Sequence, residues 1–115
     1  MSVKPGDVYS YEDRRTEPGT STITINAAPK IPPGKVVRIE TLFICDETTA
    51  AKTLALGFEK AGRSYLVQKE ALAVGVHGLA LQAPIILTEG EKPIAVVTSP
   101  SANDVITIIA RGVYL

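Results

Sequence analysis

The chain has 115 residues, the size of one domain, and 45% of them are hydrophobic, too many for a disordered segment. Twelve Lys and Arg balance twelve Asp and Glu, so the net charge is zero. That excludes the electrostatic footprint of a general nucleic-acid or acidic-membrane binder. One cysteine excludes an intramolecular disulfide, and one cysteine with one histidine cannot build an ordinary structural zinc site.

The first 20 residues stand apart. They carry seven charged side chains (Lys4, Asp7, Glu12, Asp13, Arg14, Arg15, Glu17), together with Pro5, Gly6, Pro18 and Gly19. They show neither a helical nor a two-residue apolar period. Residues 1–20 therefore read as an extended N-terminal arm, and residues 21–115 as a β-sandwich domain. The arm holds two of the four tyrosines. Tyr9, Tyr11, Arg14 and Arg15 are the candidate interface residues, since Tyr and Arg are enriched at protein hot spots. On this reading the isolated domain keeps its melting behaviour when the arm is removed.

From residue 21 the pattern is that of strands. Ile23 and Ile25 alternate with threonines, and the proline-rich 29–34 stretch breaks the chain. Lys35 to Cys45 reads as one long strand with Val37, Ile39, Thr41, Phe43 and Cys45 on one face. Lys52 to Lys60 alternates through Leu54, Leu56 and Phe58, then turns at Ala61-Gly62 into Arg63 to Gln68. Leu79-Ala80-Leu81 and Ile85-Ile86-Leu87 flank Pro84, which predicts a short or bent strand. Ile94 to Thr98 and Val105 to Val113 complete the series, joined through a polar turn. Residues 46–53 and 69–74 each admit one short helical turn. Seven or eight short strands with frequent turns define an all-β protein, an antiparallel sandwich or barrel with an aliphatic core.

A search for chemistry finds little. Cys45 and His77 are the one thiol–imidazole combination available, but Cys45 reads better as a small core residue and His77 as part of a flexible glycine-flanked loop. No Gly-x-Ser-x-Gly elbow occurs. The acids Asp46-Glu47 and Glu89-Gly90-Glu91 read as solvated turns, and no Asp-x-Asp-x-Asp-Gly calcium run is present. Gly75-Val76-His77-Gly78 lacks the Lys-Ser/Thr of a phosphate loop. The expectation is no catalytic residue, no metal and no cofactor. No apolar run approaches the ~20 residues of a membrane-spanning helix, and the polar N-terminus lacks the apolar stretch of a secretory signal. With a free cysteine, the expected site of synthesis is the cytoplasm.

Ile31-Pro32-Pro33-Gly34-Lys35 enters a long strand, and Ile86-Leu87-Thr88-Glu89-Gly90-Glu91-Lys92-Pro93-Ile94-Ala95-Val96 leads through a hairpin into the last strand. Over residues 30–115 this layout resembles the small β-sandwich virion proteins of tailed bacteriophages, capsid decoration or cement proteins among them. The resemblance implies a jelly-roll-like fold, the major capsid protein as partner, lattice contacts or homo-oligomers of its own copies, and a place on the capsid exterior. It implies that the arm, with Tyr9, Tyr11, Arg14 and Arg15, lies across neighbouring subunits. A head–tail or tail component belongs to the same class. From other classes, a carbohydrate-binding sandwich is opposed by the absence of tryptophan, and a small hydrolase comes third.

Overall fold

A computed structural model describes residues 3–115. Its strands, in chain order, are β1 (Val8–Glu17), β2 (Ile23–Ile25), β3 (Val36–Asp46), β4 (Thr53–Lys60), β5 (Arg63–Ala71), β6 (Gly78–Ala80), β7 (Ile85–Thr88), β8 (Lys92–Thr98) and β9 (Asp104–Tyr114). They form two sheets. One runs β1-β9-β3, with both β6 and β7 on the far side of β3; the other runs β2-β8-β4-β5. All pairings are antiparallel. If β6 and β7 count as one interrupted strand, this is the strand order of an eight-stranded jelly roll. The protein is an all-β antiparallel sandwich of jelly-roll type.

Packing between the sheets is aliphatic. Val37, Ile39, Leu42 and Ile44 of β3 meet Leu54 and Leu56 of β4, Ala95 and Val97 of β8, and Ile106, Ile108 and Ala110 of β9. The expected alternation in β4 holds: Leu54 and Leu56 are fully buried and Phe58 packs against the same cluster.

The face expected for β3 is right only as far as Ile39. A bulge follows, in which Ile39 stands opposite Gly112 and Thr41 opposite Arg111, leaving Glu40 as the extra residue. An extra residue flips the two-residue period. Leu42 and Ile44 therefore enter the core, while Phe43 and Cys45 turn to the outside. Gly112 permits this, because a Cβ there would lie 2.3 Å from the Arg38 carbonyl. The same stretch of β3 faces the 81–84 break between β6 and β7, where Pro84 has no backbone donor to offer.

Two further expectations are corrected. Residues 69–71 belong to β5, and residues 47–52 are a turn between β3 and β4 held by side-chain hydrogen bonds, so neither 46–53 nor 69–74 forms a helical turn. Residues 8–17 are extended, as expected of the arm, but they pair with β9 along their whole length, from Val8 opposite Val113 to Glu17 opposite Asp104. This part of the arm is a strand of the sandwich. Tyr9 sits in the core at 3% exposure, edge-on to Tyr114 with ring centroids 6.4 Å apart. Its hydroxyl donates to the Pro29 carbonyl at 2.7 Å.

Candidate interaction surface

The four candidate residues fall on opposite faces of β1, because strand side chains alternate. Tyr9 and Tyr11 point inward, Tyr9 within the core and Tyr11 packed against it. Burial pushes the Tyr9 hydroxyl well above its ordinary range, with the nearby Tyr114 and Tyr11 adding to the effect. Arg15 shares the inward side and is half-buried, donating its Nε to Asp13 at 2.7 Å. Only Arg14 faces outward. Tyr9 thus has no ring surface to offer a partner, and the four residues do not form one patch.

Arg14 joins a different group. Its Nε donates to Glu47 Oε2 at 2.8 Å and its Nη2 to Oε1 at 3.3 Å, a two-pronged pairing that fixes the guanidinium plane. The Thr107 hydroxyl donates to the same Glu47 carboxylate. These contacts hold Glu47 below the usual carboxylate range, Arg14 first and Thr107 second, and Glu47 in turn raises Arg14. Arg111 pairs with Glu12 one row away, and Arg38 pairs with Glu40 at 2.8 Å beside the bulge. Exposed pairs of this kind add little stability. Their effect is to order a charged rim.

Inside that rim the register sets an apolar side chain of β9 beside one of β3, with a rim carboxylate of β1 on the other side. Glu12 stands opposite Ile109, and Ile109 opposite Phe43. Val113 continues the row on β9, and Phe43 lies over Gly78, whose missing Cβ would come within 2.8 Å of the ring. Glu12, Asp13, Arg14, Thr107 and Ile109 line a shallow depression of about 320 Å³. The result is a flat, half-exposed apolar strip bordered by paired charges on the outer face of the β1-β9-β3 sheet.

Sequence reasoning found Arg14 and missed Glu47, Thr107, Ile109, Arg111 and Phe43. The signal was present in part, since Ser10, Glu12, Arg14 and Thr16 alternate with Tyr9, Tyr11, Asp13 and Arg15. Polar residues occupy both faces, and that hid the period.

The acids singled out as solvated turns divide as well. Glu89 accepts from the Gly34 amide and Glu91 from Thr88, which are turn contacts. Asp46, however, is completely buried. His77 Nδ1 lies 2.7 Å from the Asp46 carbonyl, so that nitrogen carries hydrogen and donates. Burial, with help from Glu47 and Asp46, raises the Cys45 thiol, which makes it a poor nucleophile. Among the described residues no three His, Cys, Asp or Glu side chains gather as metal ligands, and no helix is long and apolar enough to cross a membrane.

No protein-family model matches the chain, and no curated protein matches it. Among solved structures it is similar to Drosophila NLP-core, a protein whose crystal structure bears on pentamer formation and histone binding. The likeness covers 92% of this chain and 97% of that one, at 9% identity and a TM-score of 0.44. The fold class rests on strand order, not on this likeness.

Proposed function

We propose that this chain is a non-enzymatic structural protein of a bacteriophage virion, a capsid decoration protein that docks on the outer capsid surface and reinforces the junctions between major capsid subunits. The observation that carries the reading is the outer face of the β1-β9-β3 sheet, where Phe43 and Ile109 lie in an apolar strip bordered by the Arg14–Glu47 and Arg111–Glu12 pairs. A flat face with an apolar centre and a paired-charge rim suits attachment to another protein by shape. The jelly-roll sandwich is a framework that capsid proteins use, though fold alone does not fix function. The resemblance of residues 30–115 to phage virion sandwiches supplies the particular setting. A sugar-binding role has less support. It calls for a platform of exposed aromatic rings, and among the described residues Tyr65 alone is so exposed.

Quantitative mass spectrometry on density-purified particles tests this reading. The expected result is a copy number comparable with that of the major capsid protein, reduced when Arg14→Glu replaces the wild-type chain. A handful of copies per particle would move the protein to the head–tail junction or tail. Absence from the particles would end the virion reading.

A further inference from the structure

Asp46 closes β3 and Asp104 opens β9, and both side chains are buried, at 0% and 1% exposure. Three of their four oxygens have donors. Asp46 Oδ1 accepts from the Thr48 and Thr49 amides at 3.2 and 2.9 Å. Asp104 Oδ1 accepts from the Thr49 hydroxyl at 2.7 Å, and its Oδ2 from the Ser101 amide at 2.8 Å. Asp46 Oδ2 is buried and receives nothing.

An acceptor oxygen buried without a donor is costly, and two ionised carboxylates held together in a dry site repel each other. One proton removes both penalties. Placed on Asp46 Oδ2, it turns the unsatisfied acceptor into a donor toward Asp104 and leaves a single negative charge. A cation does not fit as well, since N–H and O–H donors already occupy the other three oxygens. Burial, reinforced by the hydrogen bond with Asp104, pushes the Asp46 carboxyl above its usual range. Burial opposes ionisation of Asp104 too, but the hydrogen bonds from Asp46, Thr49 and Ser101 and the charge of Lys52 outweigh it and hold that carboxyl low.

We infer that Asp46 and Asp104 share one proton and act as a latch: while it is held, the 47–52 turn fixes Glu47, and through Glu47 it fixes Arg14 on the outer face. The linkage is short. Glu47 is the next residue, its amide donates to the Val105 carbonyl at 2.8 Å, and Val105 donates back to the Thr48 hydroxyl at 3.0 Å. Losing the proton puts a second charge in the buried site, frees this turn and loosens the Glu47–Arg14 pair. That the loosened pair also weakens attachment rests on the proposed docking role; the latch itself does not.

Other charged groups surround the pair. Lys52 holds the Ser99 carbonyl and the Ser101 hydroxyl, each at 3.1 Å. His77 and Asp46 exchange hydrogen bonds, from His77 Nδ1 to the Asp46 carbonyl and from the Asp46 amide to the His77 carbonyl. On β1, Glu17 accepts the Asn103 amide through its carbonyl. Cys45 and Glu47 flank Asp46 in sequence.

The test is a pH series of ¹⁵N spectra on the full chain, from about pH 4 to about pH 9, followed at the Thr48, Thr49 and Ser101 amides and at Arg14 Nε. The expected result is one shared step, above the ordinary aspartate range, at all four positions. In Asp46→Asn the step is lost, because an amide donates to Asp104 at every pH. In His77→Asn, which keeps a donor toward the Asp46 carbonyl, the step remains. No shared step, a step that survives Asp46→Asn, or one lost only in His77→Asn overturns the latch. A step at Thr49 that leaves Arg14 Nε unmoved overturns its coupling to the outer face. None of these readouts needs a capsid, so failure of the docking role leaves them intact.

Discussion

β1 and β5 both end a sheet, and both are long, yet their side chains are organised in opposite ways. On β1 the inward positions run from Tyr9 and Tyr11 to Asp13, Arg15 and Glu17, so the strand is anchored by aromatic rings at one end and carries inward-facing charge at the other. Inward charges and strand bulges are both known ways to keep a sheet edge from pairing with a stranger. β5 has the bulge, where Val67 is the extra residue between the Leu56–Gln68 and Gly57–Leu66 pairs. It exposes Tyr65, Leu66 and Val67 in succession, each at about 45%. Gln68 then spans to the other sheet, donating to the Ala80 carbonyl at 2.8 Å and accepting from the Gln82 amide at 3.1 Å, the positions a neighbouring strand would take. One edge is part of the core, and the other leans against it. Apolar content alone ranks these strands the wrong way round.

The largest break in the comparison is removal of residues 1–20. That deletion takes away β1, strips Tyr9 from the core and leaves one edge of β9 unpaired. Domains are stable by only about 5–15 kcal/mol, and losing one large buried side chain costs about 3–5 kcal/mol. Loss of cooperative unfolding, followed by circular dichroism, is the expected outcome. An unchanged melt would restore the picture of a detachable arm.

Point substitutions sharpen the contrast. Tyr9→Ala should cost about 3–5 kcal/mol by urea unfolding, and Tyr9→Phe about 1 kcal/mol, the value of its hydrogen bond to Pro29. Tyr65 is the matching aromatic on β5 and is stacked on Phe58 at 5.1 Å. Tyr65→Ala should cost about 1 kcal/mol. Equal losses at the two tyrosines would contradict the assignment of only one edge to the core.

These differences were partly legible in the sequence. The aliphatic strands, the broken strand around Pro84 and the hairpin at Ala61-Gly62 all follow from local pattern, and they suffice for a sandwich. Tyr9 and Arg14 were visible as residues but not by side, because β1 needs β9 beside it before its alternation has a meaning. The β3 bulge was hidden for a related reason. Val37 to Glu40 alternates, but Leu42-Phe43-Ile44-Cys45 is apolar at every position and so does not reveal which side enters the core; only the fit against Gly112 inserts the extra residue. The local pattern around Asp46 reads as a solvated turn because its burial needs β9, far away in the chain, beside β3, where Ile106 stands opposite it.

The buried acid pair lies where β1 ends, since Glu17 stands opposite Asp104, so pH should act on this end of the molecule. Asp46 has a raised folded-state pKa; its contribution is complete below the unfolded value and is lost as pH rises through the folded one. Asp104 has a lowered one; its contribution is present above the unfolded value and is lost as pH falls through the folded one. Stability should therefore peak between the two and decline on the alkaline side as the second carboxyl ionises. Urea midpoints across that range should show the decline in the wild type and a flatter profile in Asp46→Asn.

Exchanging the two edge strategies is the next test. Arg15→Val removes the inward charge from β1 and leaves Asp13 half-buried without its partner, at an expected cost of about 1 kcal/mol and with more self-association by light scattering. Val67→Lys puts charge on β5, where stability should move by less than about 0.5 kcal/mol and self-association should fall. If neither change alters association, neither device is guarding its edge.

The smallest effect concerns the turn that launches β5. Ala61 and Gly62 both have positive φ, 52° and 79°, between the paired Lys60 and Arg63. This is the two-residue hairpin geometry that favours Asn-Gly, and the left-handed region is costly for alanine because its Cβ crowds the following carbonyl. Ala61→Asn should stabilise the chain by about 0.5 kcal/mol, read as a small rise in urea midpoint at unchanged slope. Because β5 contributes little to the core, a better turn has few packed contacts to reinforce and the gain stays small. A gain well above 1 kcal/mol would mean that the β4–β5 hairpin limits stability, and β5 would then be as integral to the sandwich as β1.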